Sequence, residues 1–248
     1  MRELERRRAI QVRLCGMTST PGVRVDPLPT GFAALDAALG TGGLPRGRVV
    51  ELYGGASCGK TAFALQIAAH AQQGGGAAWI DAEHAFDGAF AAQLGVNVPG
   101  LPVAKPATAE EALEMARRFA ESGAVDLIVI DSAAALVPRL ETEADLATTG
   151  GGLQSRVMGS ELRRLARTAA RSRACVLLLN QTRALVDSAG GPETSSGGPA
   201  LKLHASVRIA MSAKGRRVRF RILKNQLAAP FTAFELRWAP GSGFADTP

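Results

Sequence analysis

Short apolar runs alternate along the chain with longer stretches in which apolar and polar residues repeat at helical spacing. The runs predicted to be strands are Val49 to Tyr53, Ala77 to Asp81, Leu127 to Ile130 and Cys175 to Asn180. The stretches predicted to be helices are Thr61 to Gln72, Thr108 to about Ser122 and about Leu153 to Arg173. This alternation is typical of an α/β fold with a mostly parallel central sheet and helices on both faces.

The pattern changes towards the carboxyl end of the chain. Ala205 to Ala210 and Arg217 to Leu223 are predicted to be antiparallel strands joined near Lys214-Gly215, and Thr232 to Trp238 adds another strand. We therefore expect an antiparallel extension of the same sheet and no separate C-terminal domain. The predicted organisation is a short N-terminal segment, residues 1–30, followed by one core domain, residues 31–248.

Two segments carry no apolar periodicity. Glu141 to Gly152 is polar and ends in three glycines, and Thr182 to Pro199 is rich in Gly, Ser and Thr. Loops of this length are uncommon inside compact domains, and they are usually functional or disordered. Both segments are therefore candidates for contact with a partner.

Composition suits a globular domain with an excess of positive charge. Of the 248 residues 46% are hydrophobic and 21% are charged, so a sizeable core can form and global disorder is excluded. The formal net charge is +7 and the sequence pI is about 10.0. This excess favours a polyanionic partner such as nucleic acid, and ordinary basic solubilising surface is the alternative.

Cysteine and histidine positions show no metal-ligand spacing. The three cysteines are far apart, which favours a reducing compartment over a disulfide scaffold; they are Cys15, Cys58 and Cys175. The apolar runs are too short to span a bilayer, and Met1 to Arg8 is too charged for a secretory signal. We expect a cytoplasmic protein without membrane contact.

The strongest chemical signal is a glycine-rich loop between a predicted strand and a predicted helix. Gly54-Gly55-Ala56-Ser57-Cys58-Gly59-Lys60-Thr61 fits the pattern G-x-x-x-x-G-K-[ST]. Backbone N–H groups of such a loop surround phosphate oxygens, Lys60 reaches the β and γ phosphates, and Thr61 offers its hydroxyl to Mg²⁺. The sequence thus predicts ATP and Mg²⁺ as ligands. Because Cys58 lies beside the helix N-terminus, we also expect a reactive thiolate there.

Two carboxylates complete the predicted site. Asp131 ends the apolar strand Leu127 to Ile130, where a carboxylate can hold the Mg²⁺ shell through water. Glu83 follows the strand Ala77 to Asp81 and can orient or deprotonate the attacking water. The alternative for Glu83 is a surface acid, because spacing alone does not distinguish the two.

The motifs together resemble the bacterial RecA family over nearly the whole chain. The resemblance rests on the glycine-rich loop and on these further stretches: Ala38 to Pro45, Ile80-Asp81-Ala82-Glu83-His84-Ala85, Gly123 to Asp126 through Asp131-Ser132, Asn180-Gln181, Pro192-Glu193-Thr194, Lys224-Asn225 and Ala228-Ala229-Pro230-Phe231. It implies a RecA-like ATPase core acting in DNA repair and the DNA-damage (SOS) response.

The resemblance also implies roles for individual residues. Glu83 matches the family's catalytic base, and Gln181 matches a glutamine that senses the γ-phosphate. Phe90, with Asp87 beside it, matches an aromatic ring that packs on adenine. Lys224 matches a lysine that reaches the ATP of a neighbouring protomer, so self-association or association with RecA would place ATP between subunits.

This sequence departs from the family pattern in several places. Gln226 stands where the family has a second inter-subunit lysine, and the two irregular segments, which match the DNA-facing loops, carry small residues at Gly150, Gly151, Ala189 and Gly190. Ala9 to Leu14 resembles the strand that docks on a neighbour, whereas most of the family's N-terminal helix and its C-terminal domain have no counterpart here. We expect ATP chemistry to be intact and strand exchange to be weakened.

Candidate DNA contacts are arginines on two elements and a loop. On the helix Leu153 to Arg173, Arg156, Arg163, Arg167 and Arg171 share one face, opposite an apolar face formed by Val157, Met158, Leu162, Leu165 and Ala169. Arg217, Arg219 and Arg221 alternate with apolar residues on a predicted strand, and Arg183 begins the second irregular segment. The resemblance favours Arg156, Arg163, Arg183, Arg219 and Arg221 as phosphate contacts to single-stranded DNA; the alternative is solvated basic faces.

Three functions fit these features. One is a DNA-stimulated ATPase that forms filaments and exchanges strands. The second, which we favour, is a RecA paralogue of the type found in mutagenic translesion operons (the ImuA type), a weak ATPase that modulates RecA or a translesion polymerase. The third is a more distant RecA-like ATPase such as a helicase or clock-type module, which Asn180-Gln181 and Lys224-Asn225 argue against.

Overall fold

The computed structural model describes residues 26–139, 153–183, 194–195 and 198–247, without the side chains of residues 153–157, 183, 194, 195, 198 and 199. The predicted docking strand at residues 9–14 and the first irregular segment, residues 141–152, lie outside the described residues, as does most of the second.

One large sheet dominates the described chain. Its strand order is β12-β11-β10-β9-β3-β7-β6-β4-β5, with β8 paired to β7, and a separate two-stranded sheet joins β1 to β2. The strands are β1 (Pro27–Leu28), β2 (Leu44–Pro45), β3 (Val49–Gly54), β4 (Ala77–Asp81), β5 (Val103–Ala104), β6 (Leu127–Asp131), β7 (Cys175–Arg183), β8 (Thr194–Ser195), β9 (Val207–Lys214), β10 (Arg217–Asn225), β11 (Ala233–Ala239) and β12 (Gly243–Asp246). Pairing is parallel from β9 through β5 and antiparallel from β9 to β12.

Helices cover both faces of the sheet. They are α1 (Ala33–Leu39), α2 (Lys60–Gly74), α3 (Gly88–Gln93), α4 (Ala109–Ser122), α5 (Leu153–Ser172) and α6 (Gly198–His204). Apolar side chains of α2 pack on one face with Trp79, Phe63 and Phe220, and those of α4, α5 and α6 pack on the other. The described structure is thus the predicted α/β architecture with an antiparallel extension.

Local signals explain where the predicted helices begin and which faces they bury. Thr108 accepts a hydrogen bond from the Glu111 N–H at 3.2 Å and so caps α4, while the Glu111 carboxylate accepts from Ala107 N–H rather than from the capping residue. On α5 the predicted apolar face is confirmed, since Met158, Leu162, Leu165 and Ala169 are fully buried; the side chain of Val157 lies outside the described atoms.

Several elements differ from the sequence predictions. Strand β7 continues past Asn180 to Arg183, and Thr194–Ser195, predicted to be irregular, pairs with it as β8. The helix α6 begins inside the second segment predicted to be a loop, and β12 extends the sheet beyond the last predicted strand. β8, α6 and β12 are short, so they depend on contacts with neighbouring elements rather than on a repeating apolar pattern.

None of the described helices is both long enough and apolar enough to cross a membrane.

Candidate functional site

A cavity of about 560 Å³ opens at the carboxyl ends of the parallel strands. Its wall includes the glycine-rich loop from Ala56 to Thr61, which joins β3 to α2. Four more residues named from the sequence line it as well: Glu83, Phe90, Asp131 and Gln181. Residues far apart in the chain therefore meet at one edge of the sheet, which is where α/β proteins bind ligands.

The loop follows its path because two glycines lie where a side chain has no room. A Cβ on Gly54 would lie 2.3 Å from the Met211 carbonyl oxygen of β9. Gly59 has φ of 96°, and a Cβ there would lie 2.8 Å from the Phe244 ring. The loop therefore passes close to the C-terminal strands before α2 begins. In the described chain no side chain caps α2 at Gly59, so its first N–H groups remain available to an anion.

The Lys60 ammonium is held over the loop. It donates to the carbonyl oxygens of Gly55 at 2.7 Å and Gly54 at 3.2 Å. It also lies 3.8 Å from the Cys58 sulfur. A half-buried cation bound to neutral carbonyls and a thiol can exchange them for the stronger bond to a phosphate. Together with the free end of α2, Lys60 fits a triphosphate.

Thr61 and Asp131 fit a hydrated magnesium ion. The Thr61 hydroxyl donates to an Asp131 carboxylate oxygen at 2.9 Å. The pKa of Asp131 is raised to about 6, mainly by burial and also by the nearby Glu83 and Asp81 charges, against the lowering effect of the Thr61 hydrogen bond and the Lys60 charge. Within the described residues, no group of three or more His, Cys, Asp or Glu forms a metal cage. A magnesium ion here would therefore depend on Thr61, Asp131, water and substrate phosphates.

Backbone hydrogen bonds hold Glu83 beside Asp131. The N–H groups of Ala82 and Glu83 both donate to the Asp131 carbonyl, at 2.7 and 3.2 Å. The Glu83 carboxylate accepts a hydrogen bond from the Ser132 hydroxyl at 2.5 Å and from the Gln181 amide at 3.4 Å. Glu83 is therefore an exposed residue whose carboxylate is held in a polar group at the cavity, and its role as catalytic base stays a prediction.

The aromatic wall differs in part from the sequence reasoning. Phe90 lines the cavity as expected, whereas the Asp87 carboxylate caps α3 by accepting from the N–H groups of Ala89 and Phe90. The structure also adds Val218, Trp238 and Phe244, which sequence reasoning missed because their strands are far from the loop in the chain. Gln66 of α2 fixes Phe244 by bonding both its N–H, at 2.7 Å, and its carbonyl, at 3.1 Å. The packing of Phe90 on adenine stays a prediction.

Lys224 does not reach this cavity from its own chain. Its ammonium donates to the carbonyls of Lys202 and Leu203 at the end of α6, at 2.9 and 3.2 Å. Leu203 is 69% exposed, and Phe231, whose N–H donates to Ile222 on the strand of Lys224, is 78% exposed. The predicted contact with a neighbouring protomer's ATP is left untested.

The two basic rows lie on the same side of the sheet. Val218, Phe220 and Ile222 are buried in the core beneath α2, so the alternating Arg217, Arg219 and Arg221 project to the side where α5 packs. Arg163, Arg167 and Arg171 are exposed on α5. The side chains of Arg156 and Arg183 lie outside the described atoms. Both rows on one side of the sheet favour an anionic partner on that side, and their role in DNA binding stays a prediction.

The expectation of a reactive Cys58 is wrong. The thiol is buried, and burial raises its pKa more than the nearby Lys60 ammonium lowers it. The helix N-terminus suggested a thiolate from the sequence, but the loop turns the sulfur inward, towards Gly54 and away from solvent.

Comparison with known proteins agrees with this geometry. The profile of the RecA N-terminal domain matches residues 10–245. The chain is 48% identical to protein RecA of Thermus thermophilus over 236 residues, which cover 90% of this chain and 69% of that protein. It is 48% identical to protein RecA of Chloroflexus aggregans over 85% of this chain and 64% of that protein, and 46% identical to protein RecA of Frankia casuarinae over 89% and 68%.

The fold and the site define an α/β protein of the phosphate-binding-loop class. The comparisons narrow the class: the chain belongs to the RecA family. The matched region corresponds to about two thirds of the length of those relatives.

Replacing Lys60 with alanine is expected to weaken nucleotide binding at least about tenfold, because charge-assisted bonds to phosphate contribute roughly 1.5–3 kcal/mol. Binding can be followed by the fluorescence of Trp238, which lines the cavity, since Trp79 is buried elsewhere in the core. Lys105→Ala removes an exposed lysine outside the cavity and serves as the control. Equal affinities of the two variants for ATP would contradict the assignment.

Asp131→Asn is expected to stabilise the nucleotide-free protein at pH 8. Because the folded pKa is raised to about 6, the carboxylate destabilises the fold above that pH, and protonation relieves the cost as pH falls from about 6 to 4. The cost is on the order of 2 kcal/mol, enough to move Tm by several degrees. Thermal melting at pH 8, 5 and 4 checks this: the variant melts higher than wild type at pH 8, and the difference shrinks at pH 5 and vanishes near pH 4. A lower Tm at pH 8 would show that the carboxylate stabilises the empty fold.

Proposed function

We propose that this protein binds ATP with Mg²⁺, hydrolyses it, and acts on single-stranded DNA in DNA repair. One observation carries the proposal: the Glu83 carboxylate, held by Ser132 and Gln181, lines the same cavity as Lys60 and the Thr61–Asp131 pair. The RecA proteins to which the chain is similar support the DNA-repair part.

Each residue of the cavity has a separate proposed role in ATP hydrolysis. The loop N–H groups and Lys60 bind the phosphates and stabilise charge that builds up on them. Thr61 and Asp131 hold the magnesium ion, which neutralises phosphate charge when bound. Glu83 orients a water molecule and accepts its proton, and Gln181, bonded to Glu83, lies where it can respond to the γ-phosphate.

Glu83→Gln is expected to bind ATP normally and to lose hydrolysis by a factor of 100 or more, on the order of a lost general base. The amide keeps the shape of the side chain but cannot accept the proton. Steady-state phosphate release and nucleotide affinity are measured together, with Glu121→Gln, an exposed acid on α4, as the control. Turnover that survives unchanged in Glu83→Gln would show that Glu83 is only a surface acid.

Arg156→Ala combined with Arg163→Ala is expected to weaken single-stranded DNA binding equally for all base sequences. Each lost phosphate contact lowers the salt dependence of log K by about 0.7, so the double variant loses roughly 1.4. The matched control replaces Arg167 and Arg171, which share the exposed face of α5 farther along the helix. If both double variants keep the wild-type salt slope, this face is solvated surface.

For the particular role in the cell, we propose a RecA paralogue that acts as an accessory factor in damage-induced mutagenesis and translesion repair. Contacts with RecA, DNA or a translesion polymerase would carry that role. The support comes from Gln226, which is exposed two residues beyond Lys224 and would supply no charge to the inter-subunit ATP contact that the family resemblance implies. One charge-assisted bond fewer at each protomer junction weakens a filament cumulatively.

A stand-alone recombinase is the second candidate. The favouring observation is two exposed apolar side chains, Leu203 beside Lys224 and Phe231 beside the strand that carries Lys224, since exposed apolar residues suit a protein contact surface. Identity of 46–48% to RecA proteins points the same way.

Joint-molecule formation separates the two candidates. With ATP, single-stranded DNA and homologous duplex, we expect little or no strand exchange by the purified protein alone. We also expect an altered rate when it is added to a full-length RecA protein. Robust exchange without any partner would overturn the accessory role and establish the recombinase.

A further inference from the structure

Four polar side chains form a row across the middle of the sheet. Glu51 of β3 is directly opposite Arg208 of β9, and Arg208 is directly opposite Lys224 of β10. On the other side of β3, Asn180 of β7 lies two positions beyond the residue opposite Glu51. The row therefore crosses four neighbouring strands, β7, β3, β9 and β10, on the side of the sheet where α5 and α6 pack.

Hydrogen bonds join three members of the row, Asn180, Glu51 and Arg208. Lys224 stands beside Arg208 as a second cation, so its link to the row is electrostatic: the Arg208 charge is one of the causes, after burial, that lower the pKa of Lys224. Asn180 donates to one Glu51 carboxylate oxygen at 2.8 Å, and the Arg208 guanidinium donates to the other at 2.5 Å. The Asn180 carbonyl oxygen accepts from the backbone N–H of Gln181 at 2.8 Å. Glu51 and Asn180 are both 0% exposed, so their two side chains are fixed in place by these partners.

The two ends of the row lie at different functional places. At one end Gln181 lines the nucleotide cavity and bonds to Glu83. At the other end Lys224 bonds to the carboxyl end of α6, beside the exposed Leu203. The backbone of Gln181 is tied to the Asn180 side chain, and Asn180 is buried against Glu51, so a shift of the Gln181 backbone would cost the buried groups a partner that no water replaces.

A buried ion pair alone is weak evidence of a role. Glu51 with Arg208 can stabilise the sheet and do nothing else, and replacing such pairs with apolar residues is often neutral for stability. The alternative to a structural role is that the pairing keeps Gln181 in the geometry that hydrolysis needs. The two roles differ in what a mutation changes, stability in one case and turnover in the other.

We propose that Glu51 and Asn180 are positioning residues, which hold Gln181 against Glu83 and connect the nucleotide cavity through Arg208 to Lys224 and the exposed end of α6. The proposal rests on the proposed ATPase function and adds to it a path from the γ-phosphate end of the cavity to the surface that carries Lys224.

An exchange of the two side-chain types tests the pairing. Asn180→Asp alone places a second carboxylate against Glu51, and Glu51→Gln alone leaves Arg208 without its carboxylate. In the double variant Glu51→Gln with Asn180→Asp, the new amide at position 51 donates to the new carboxylate at position 180 and accepts from Arg208. The carboxylate at position 180 still accepts from the backbone N–H of Gln181. The double variant thus keeps each described hydrogen bond and the total charge of the cluster.

The measurements are kcat and KM for ATP, nucleotide affinity from Trp238 fluorescence, and sedimentation with and without ATP. For each single variant we expect kcat to fall about tenfold or more, nucleotide affinity to stay within about twofold, and ATP-dependent association to diminish. The double variant is expected to regain kcat to within about threefold of wild type. Thr30→Val, which removes a buried 2.6 Å hydrogen bond to Asp36 away from the cavity, controls for lost stability alone.

The results that would contradict this inference differ from those that would contradict the proposed ATPase function. A wild-type protein that does not hydrolyse ATP overturns the proposed function, and the positioning role with it. A normal wild type whose single variants lower Tm, as Thr30→Val does, but keep kcat shows that the cluster is only structural. If the single variants fail to fold by circular dichroism, Asn180→Ala, which keeps the Glu51–Arg208 pair, replaces them, and unchanged kcat there also overturns the inference.

Discussion

The site depends on the parallel pairing of the central strands. Parallel strands end at the same edge of a sheet, and their hydrogen-bond register decides which terminal residues meet. Here Gly54 is opposite Gln181 and Asp81 is opposite Asp131. A shift of one residue in either pair would turn these side chains to the other face of the sheet and disperse the cavity. The register of the backbone pairing therefore decides which functional side chains meet at the cavity.

The antiparallel extension closes the other side of the cavity. Met211 and Phe244 approach the glycine-rich loop so closely that Gly54 and Gly59 have no room for a side chain. Gln66, on the helix that follows the loop, bonds the backbone of Phe244. The phosphate loop and the C-terminal strands are consequently one packed unit, and a change in either one alters the cavity that they share.

Two carboxylates near the site, Glu51 and Asp131, differ in how well their negative charge is compensated. Glu51 is buried with a guanidinium and an amide, so both of its oxygens are satisfied inside the protein. Burial, with Glu83 and Asp81 nearby, raises the pKa of Asp131 to about 6, and the single hydroxyl donor, Thr61, opposes the shift only in part. The first arrangement resists change, while the second leaves negative charge that a magnesium ion can neutralise. Destabilised charge of this kind is typical of a binding site.

Local patterns in the sequence determined the strands around the loop, the helix α2, the capped start of α4 and the position of Asp131. Each of these depends on residues close together in the chain, such as Thr108 with Glu111. Glu83 was a candidate from its place after a predicted strand and Gln181 from the family resemblance, and only the tertiary structure showed that they bond to each other. Trp238 and Phe244 joined the cavity, and the Cys58 thiol became buried, because distant strands pack against the loop. Contacts between elements far apart in sequence leave no periodic signal in either element, so the fold alone could decide them.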